Sequence, residues 1–217
     1  QGTYKGKNIL CTQPRVLTAM SIPQELTSVD SVWSKDMLFG KTIGFSTGAR
    51  KITCKNCLMY ATLDTLLAEL KTLTDDTICD LYRVIILDEV HERSITLDMV
   101  IMLLKRLLLN KVGDPNCPFV IFTSATFDVT KYAEYLGVDI STNVIDVEGL
   151  TYDIEDTYLE VSTTNYIDKV GELIENINKT DEYDTRGNDM LVFTPGAAAV
   201  REIRKVLEPV LKKIIDG

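Results

Sequence analysis

The sequence predicts an α/β fold, a parallel sheet covered by helices on both faces. Short apolar runs rich in β-branched and aromatic residues alternate with longer segments of helical period. Such strand–helix alternation leads to right-handed crossovers, which lay helices over both sides of a parallel sheet. The composition agrees: 217 residues, 45% hydrophobic and 25% charged, suffice for one large domain or one and a half smaller ones.

In chain order, "NILCTQ" (Asn8–Gln13) reads as the first buried strand. "TLDTLLAELKTL" (Thr62–Leu73) reads as a helix, "RVIILD" (Arg83–Asp88) as a strand and "SITLDMVIMLLKRLLLN" (Ser94–Asn110) as a long helix. "PFVIFTSA" (Pro118–Ala125) is the next strand, and "VTKYAEYLG" (Val129–Gly137) is a helix that stops at its glycine. Between Gly137 and Asn165 the helical period disappears, which predicts extended structure and a domain boundary there. Residues 1–145 are read as the first domain and 146–217 as the beginning of a second. In the latter, "NYIDKVGELIENINK" (Asn165–Lys179) predicts a helix, the polar "TDEYDTRGND" (Thr180–Asp189) a flexible loop and "DMLVFTP" (Asp189–Pro195) a strand. The final helix follows Pro195-Gly196 and is expected to bend or break near Pro209.

Several function classes are excluded early. No stretch approaches the ~20 apolar residues of a membrane helix, so no membrane partner is expected. The first residues are no signal peptide, because Pro14 cuts short a brief apolar run. Five cysteines, an odd number, predict reduced thiols and an intracellular setting. The net charge of −9 does not favour general nucleic-acid binding, so any phosphate contact must be local, through a few side chains and backbone amides.

The chemistry concentrates in "VIILDEVHERSITLD" (Val84–Asp98), where an apolar run delivers Asp88, Glu89 and the single histidine, His91. Ligands of open α/β sheets sit beyond the carboxyl ends of the strands. Two adjacent carboxylates suit a phosphate-bound Mg²⁺: one holds a metal-bound water, the other orients or deprotonates an attacking water. The plainer alternative is that the pair caps the helix at Ser94. A zinc-protease helix is excluded, since Ile95 stands where its second histidine belongs. Cys54 and Cys57 have metal-ligand spacing but supply two of four tetrahedral ligands, so they read as plain loop or strand cysteines without zinc. "GKT" (Gly40–Thr42) has Lys35 where a phosphate loop needs glycine, and "GTYKGKN" (Gly2–Asn8) is one residue short. The carboxylate pair therefore stands without a loop to hold phosphates.

Four segments occur in one order: "TQPRVLTAM" (Thr12–Met20), "DEVHER" (Asp88–Arg93), "SAT" (Ser124–Thr126) and "LVFTPG" (Leu191–Gly196). Together they resemble motifs Ia, II, III and IV of the DEAH/RHA group of DExH-box helicases of superfamily two. "GKTIGFSTG" resembles that family's glycine-rich strand after motif Ia, "YATLDTLL" its motif Ib region and "VEGLTYDIEDTYL" its link into the second domain. The resemblance spans essentially the whole chain. It implies a RecA-like parallel sheet followed by the start of a second RecA-like domain, in a helicase that uses ATP and Mg²⁺. Asp88 would hold Mg²⁺ through water, Glu89 would align the hydrolytic water, and both would face the nucleotide. His91 would link the nucleotide site to motif III, where Ser124 and Thr126 would couple hydrolysis to domain movement. Pro14, Arg15 and Thr62, with Thr194 and Gly196 from the second domain, would contact the backbone of a single strand, RNA rather than DNA.

The chain departs from the family pattern at Leu63-Asp64, where an acidic residue and glycine are common, and at Val16, where a second arginine often stands. These departures point to a divergent viral member, acting inside a host cell or carried in its virion. The phosphate loop is expected before Gln1 and motifs V and VI after Gly217, within the remainder of a parent helicase. Residues 1–217 by themselves are expected to hydrolyse ATP negligibly, because they supply carboxylates but no phosphate cradle and no arginine finger. Two rivals remain at this level: an inert binding or scaffold module, and a nucleotide-driven motor that does not act on nucleic acid.

Overall fold

The computed structural model describes residues 6–33, 35–125, 128–147, 149, 154–179 and 190–215. The chain divides into two compact units, Gln1–Val147 and Glu148–Gly217. The first is built on six strands: β1 (Asn8–Gln13), β2 (Ile43–Ser46), β3 (Lys51–Ile52), β4 (Leu58–Thr62), β5 (Tyr82–Leu87) and β6 (Phe119–Phe122). They form one sheet in the order β3-β2-β4-β1-β5-β6, parallel throughout except for the β2–β3 pair. This is the expected α/β architecture, and the apolar runs of β1 and β5 lie inside it, each with a strand on both sides.

Helices α1 (Val16–Leu26), α2 (Leu63–Thr72), α3 (Asp75–Leu81), α4 (Ile95–Asn110), α5 (Val129–Leu136) and the short α6 (Ile140–Asn143) complete the unit. The buried core joins Leu66 and Leu70 of α2 to Leu97, Val100, Leu104 and Leu107 of α4, over Leu10, Ile85 and Leu87 of the sheet. Burying each such side chain is worth roughly 1.5–3 kcal/mol. Local chemistry sets the helix ends. The Ser94 hydroxyl accepts from the Leu97 N–H and starts α4. Gly137 closes α5 at φ 71, a conformation that glycine adopts freely.

Some expectations are corrected. β4 and β2 carry no run long enough to stand out, yet β4 pairs directly with β1, and β2 with β4. α1 contains Pro23 and α8 (Ala197–Ile215) contains Pro209, and both helices run through their prolines. At Pro209 one helical hydrogen bond is missing, but Lys205, whose carbonyl would have accepted it, is exposed and can be satisfied by water. Cys54 and Cys57, expected as separate thiols, form a disulfide with Cα atoms 5.9 Å apart. Asn56 between them adopts φ 57, a left-handed conformation that asparagine tolerates, and so closes the turn between β3 and β4. Cys11, Cys79 and Cys117 are free thiols.

In the second unit, α7 (Tyr166–Lys179) and α8 pack together through Ile174, Ala199 and Ile203. A Cβ on Gly171 would meet Val206 Cγ1 at 2.8 Å, so the glycine sets how closely the helices approach. The strand expected over Asp189–Pro195 does not form over residues 190–195. A strand exists only through a hydrogen-bonded neighbour, and the described residues of this unit include none. Asp189 lies outside the described residues.

Candidate functional site

Three neighbouring parallel strands end side by side: β1 at Gln13, β5 at Leu87 and β6 at Phe122. Their hydrogen bonding continues one step past the strands. The Asp88 N–H donates to the Thr12 carbonyl at 3.3 Å, the Thr123 N–H to the Leu87 carbonyl at 2.9 Å, and the Val90 N–H to the Thr123 carbonyl at 3.1 Å. Asp88 is therefore seated by backbone on both sides. Its Oδ2 accepts from Gln13 Nε2 at 2.7 Å. Its Oδ1 accepts from Thr123 Oγ1 at 2.5 Å and from the Glu89 N–H at 3.0 Å.

Glu89 takes φ 57, a conformation uncommon for a residue with a Cβ and one that clusters at functional sites. The chain turns sharply there, and the Glu89 carboxylate comes within 3.3 Å of His91 Nδ1. The same ring nitrogen lies 3.1 Å from Ser124 Oγ. Glu89, His91 and Ser124, from the ends of β5 and β6, thus meet around one imidazole. Burial, followed by the nearby Asp88 charge, pushes the Cys11 thiol beneath the site up to about 11. Burial, then Cys11 and Asp88, pushes the neighbouring Tyr60 up to about 12.

Pro14 and Arg15 occupy the turn between β1 and α1, and no side chain caps that helix start. Arg15 is 72% exposed and its guanidinium lies 3.1 Å from Glu92 Oε1, so it rests in a surface ion pair that also ties motif Ia to motif II. Thr62 stands beside Gln13 in the β1–β4 register, at the same sheet edge. It is only 5% exposed, however, and its hydroxyl is hydrogen-bonded to Thr65 Oγ1 at 2.9 Å. Thr194 and Gly196 belong to the second unit, where the Thr194 hydroxyl reaches the Gly196 carbonyl at 3.5 Å. Thr126 lies outside the described residues. Among the described residues, no helix is long and apolar enough to cross a membrane.

Three residues of this edge escaped the sequence reading: Gln13, Thr123 and Glu92. The available signal was a polar residue at or just beyond the end of each strand flanking β5. Asp88 and Glu89 are the right donor set for a hydrated Mg²⁺, being hard anionic oxygens at the open end of a parallel sheet.

No protein-family model matches the chain. It is 38% identical over 210 residues to B962L of African swine fever virus, a protein named as an RNA helicase; the match covers 94% of this chain and 22% of that protein. It is 33% identical over 207 residues to a Schizosaccharomyces pombe protein named as a pre-mRNA-splicing factor ATP-dependent RNA helicase, covering 95% of this chain and 28% of that one. The chain thus spans about a quarter of the length of these curated relatives. In structure it matches the Escherichia coli DEAH/RHA helicase HrpB with a TM-score of 0.71 at 22% identity, over 94% of this chain and 24% of that one. The chain thus has the fold of a DEAH/RHA helicase and is similar in sequence to viral and cellular proteins named as RNA helicases.

Proposed function

We propose that the parent protein is an ATP-dependent RNA helicase or translocase, and that residues 88–93 form the hydrolytic part of its nucleotide site. The observation that carries this reading is the meeting of Asp88, Glu89, His91 and Ser124 at the carboxyl ends of β5 and β6. Bound Mg²⁺ would neutralise charge developing on the phosphates. Asp88, fixed by Gln13 and Thr123, presents its carboxylate to the metal's waters. Glu89, turned off the strand line, accepts a proton from the attacking water. His91 reports the state of Glu89 to Ser124 through the contacts at 3.3 and 3.1 Å. Thr126 extends that coupling in the same motif.

The strand partner is single-stranded RNA held by its backbone. Arg15 and the uncapped start of α1 suit a phosphate without reading a base, and Pro14, Thr62, Thr194 and Gly196 complete the proposed contact set. The relatives' names support RNA over DNA. Residues 1–145 serve as the ATP-binding RecA-like domain and 146–217 open the second.

The test is Glu89→Gln in the full-length parent. ATP binding persists and turnover falls by ~10²–10⁴-fold, the usual contribution of a general base. Near-normal hydrolysis in that variant overturns the role of Glu89; a wild-type parent that hydrolyses no ATP supports the inert-module rival, and one whose hydrolysis RNA never stimulates supports the motor that does not act on nucleic acid.

A further inference from the structure

The Asp88 carboxylate is almost fully subscribed. A carboxylate offers about four lone-pair sites. Gln13 Nε2 takes one on Oδ2, while Thr123 Oγ1 and the Glu89 N–H take two on Oδ1. Among the described residues, that leaves one acceptor position, on Oδ2. The two side-chain donors come from the strands on either side of β5, so one carboxylate ties together the ends of β1, β5 and β6. Both donors are constrained: Gln13 is buried, and Thr123 is pinned by backbone bonds in both directions.

We propose that Gln13 and Thr123 are positioning residues for the metal, a two-sided clamp that leaves Asp88 Oδ2 a single direction in which to accept from a metal-bound water. The clamp acts through Asp88 and touches neither metal nor nucleotide. It also places Gln13 two positions from Arg15, so the proposed strand contact and one arm of the clamp share one turn of chain. The inference rests on the reading of Asp88 given above. Hydrogen-bonding partners behind a metal's direct ligands set orientation and basicity, and their loss typically costs ~10–100-fold in metal affinity or activity. A water-mediated carboxylate depends on orientation in the same way.

The experiment is a Mn²⁺ titration followed by electron paramagnetic resonance, on the full-length parent with a non-hydrolysable ATP analogue. Four variants are compared: Asp88→Asn, Thr123→Val, Thr123→Ser and Gln13→Met. Thr123→Val is expected to raise the Mn²⁺ dissociation constant ~10-fold or more. Thr123→Ser, which keeps the hydroxyl donor, stays within about twofold of wild type. Gln13→Met, similar in shape but without the amide, moves in the same direction as Thr123→Val and carries the test if the valine variant does not fold. Unchanged affinity in Asp88→Asn refutes the assignment of Asp88 itself. If Asp88→Asn weakens binding while Thr123→Val and Gln13→Met do not, the clamp alone is refuted. Equal weakening by Thr123→Ser and Thr123→Val makes the effect one of packing and also refutes the clamp.

Discussion

The two compact units handle their motif residues differently. In Gln1–Val147, the residues around motifs Ia, II and III sit at the ends of adjacent strands whose hydrogen bonds run on past the sheet, and Gln13 and Thr123 are tied to the Asp88 carboxylate by their side chains. In Glu148–Gly217, "LVFTPG" precedes α8 without a strand over residues 190–195, and Leu191 and Phe193 are exposed. There the packing is α7 against α8, held by few buried side chains. A short motif acquires geometry from the elements on either side of it. Where three strands converge, a carboxylate can be oriented from two directions; beside one helix, the Thr194 hydroxyl reaches the Gly196 carbonyl of its own loop.

Four substitutions or conditions would break or sharpen this contrast. The largest effect is expected for Leu104→Ala, which empties a site 1% exposed between α4 and its neighbours. Urea unfolding should show a loss of about 3 kcal/mol for this deletion; under about 1 kcal/mol, the first unit is not the tightly packed body described here. Gly44→Ala comes next. Its Cβ would lie 2.2 Å from the Ile52 carbonyl oxygen, so β3 must move. Overpacking of this kind costs about 2 kcal/mol, and hydrogen exchange should rise at β2 and β3 before it does at β5.

Alkaline pH gives a smaller, graded effect. The Cys11 thiol rises from 9.0 to about 11, chiefly by burial. Between those values the folded chain keeps a proton that the unfolded chain has lost. Stability present below pH 9.0 is therefore lost progressively as pH approaches 11. Cys79, raised by burial to about 11, adds in the same direction. A urea midpoint that stays flat over this interval contradicts the buried placement of these thiols. The smallest effect is expected for Phe193→Ala. The ring is 89% exposed, and its removal should change stability by no more than ~0.5 kcal/mol. A larger loss would show that the motif-IV segment is packed after all.

The legible parts of the fold were those with strong periodicity. β1, β5, α4, α5 and α7 stand close to their predicted bounds, because long apolar runs and clear caps leave little choice. β6 stops at Phe122, although the Thr123 N–H and carbonyl still bond to Leu87 and Val90. β2 was visible only through the family resemblance, and β4 was not read as a strand. Short strands of four or five residues take their identity from neighbours, and β4 becomes a central strand only by lying between β1 and β2. Pro209 reads as a bend or break because sequence shows the missing donor, whereas the fold shows that Lys205, whose carbonyl loses it, is exposed.

The order of residues determined the α/β class, the delivery of Asp88 and Glu89 to the end of a buried strand, and the family likeness. These follow from periodicity and adjacency, which are local. Tertiary structure decided that Glu89 turns away at φ 57, that His91 finds Ser124, that Arg15 rests on Glu92 and that Thr62 points its hydroxyl inward. It also joined Cys54 to Cys57 and placed Gln13 and Thr123 on opposite sides of one carboxylate. Most of these are contacts between side chains far apart in sequence. Their partners are chosen by strand order and register, and a one-dimensional pattern carries no distance between the ends of two strands until the sheet has formed.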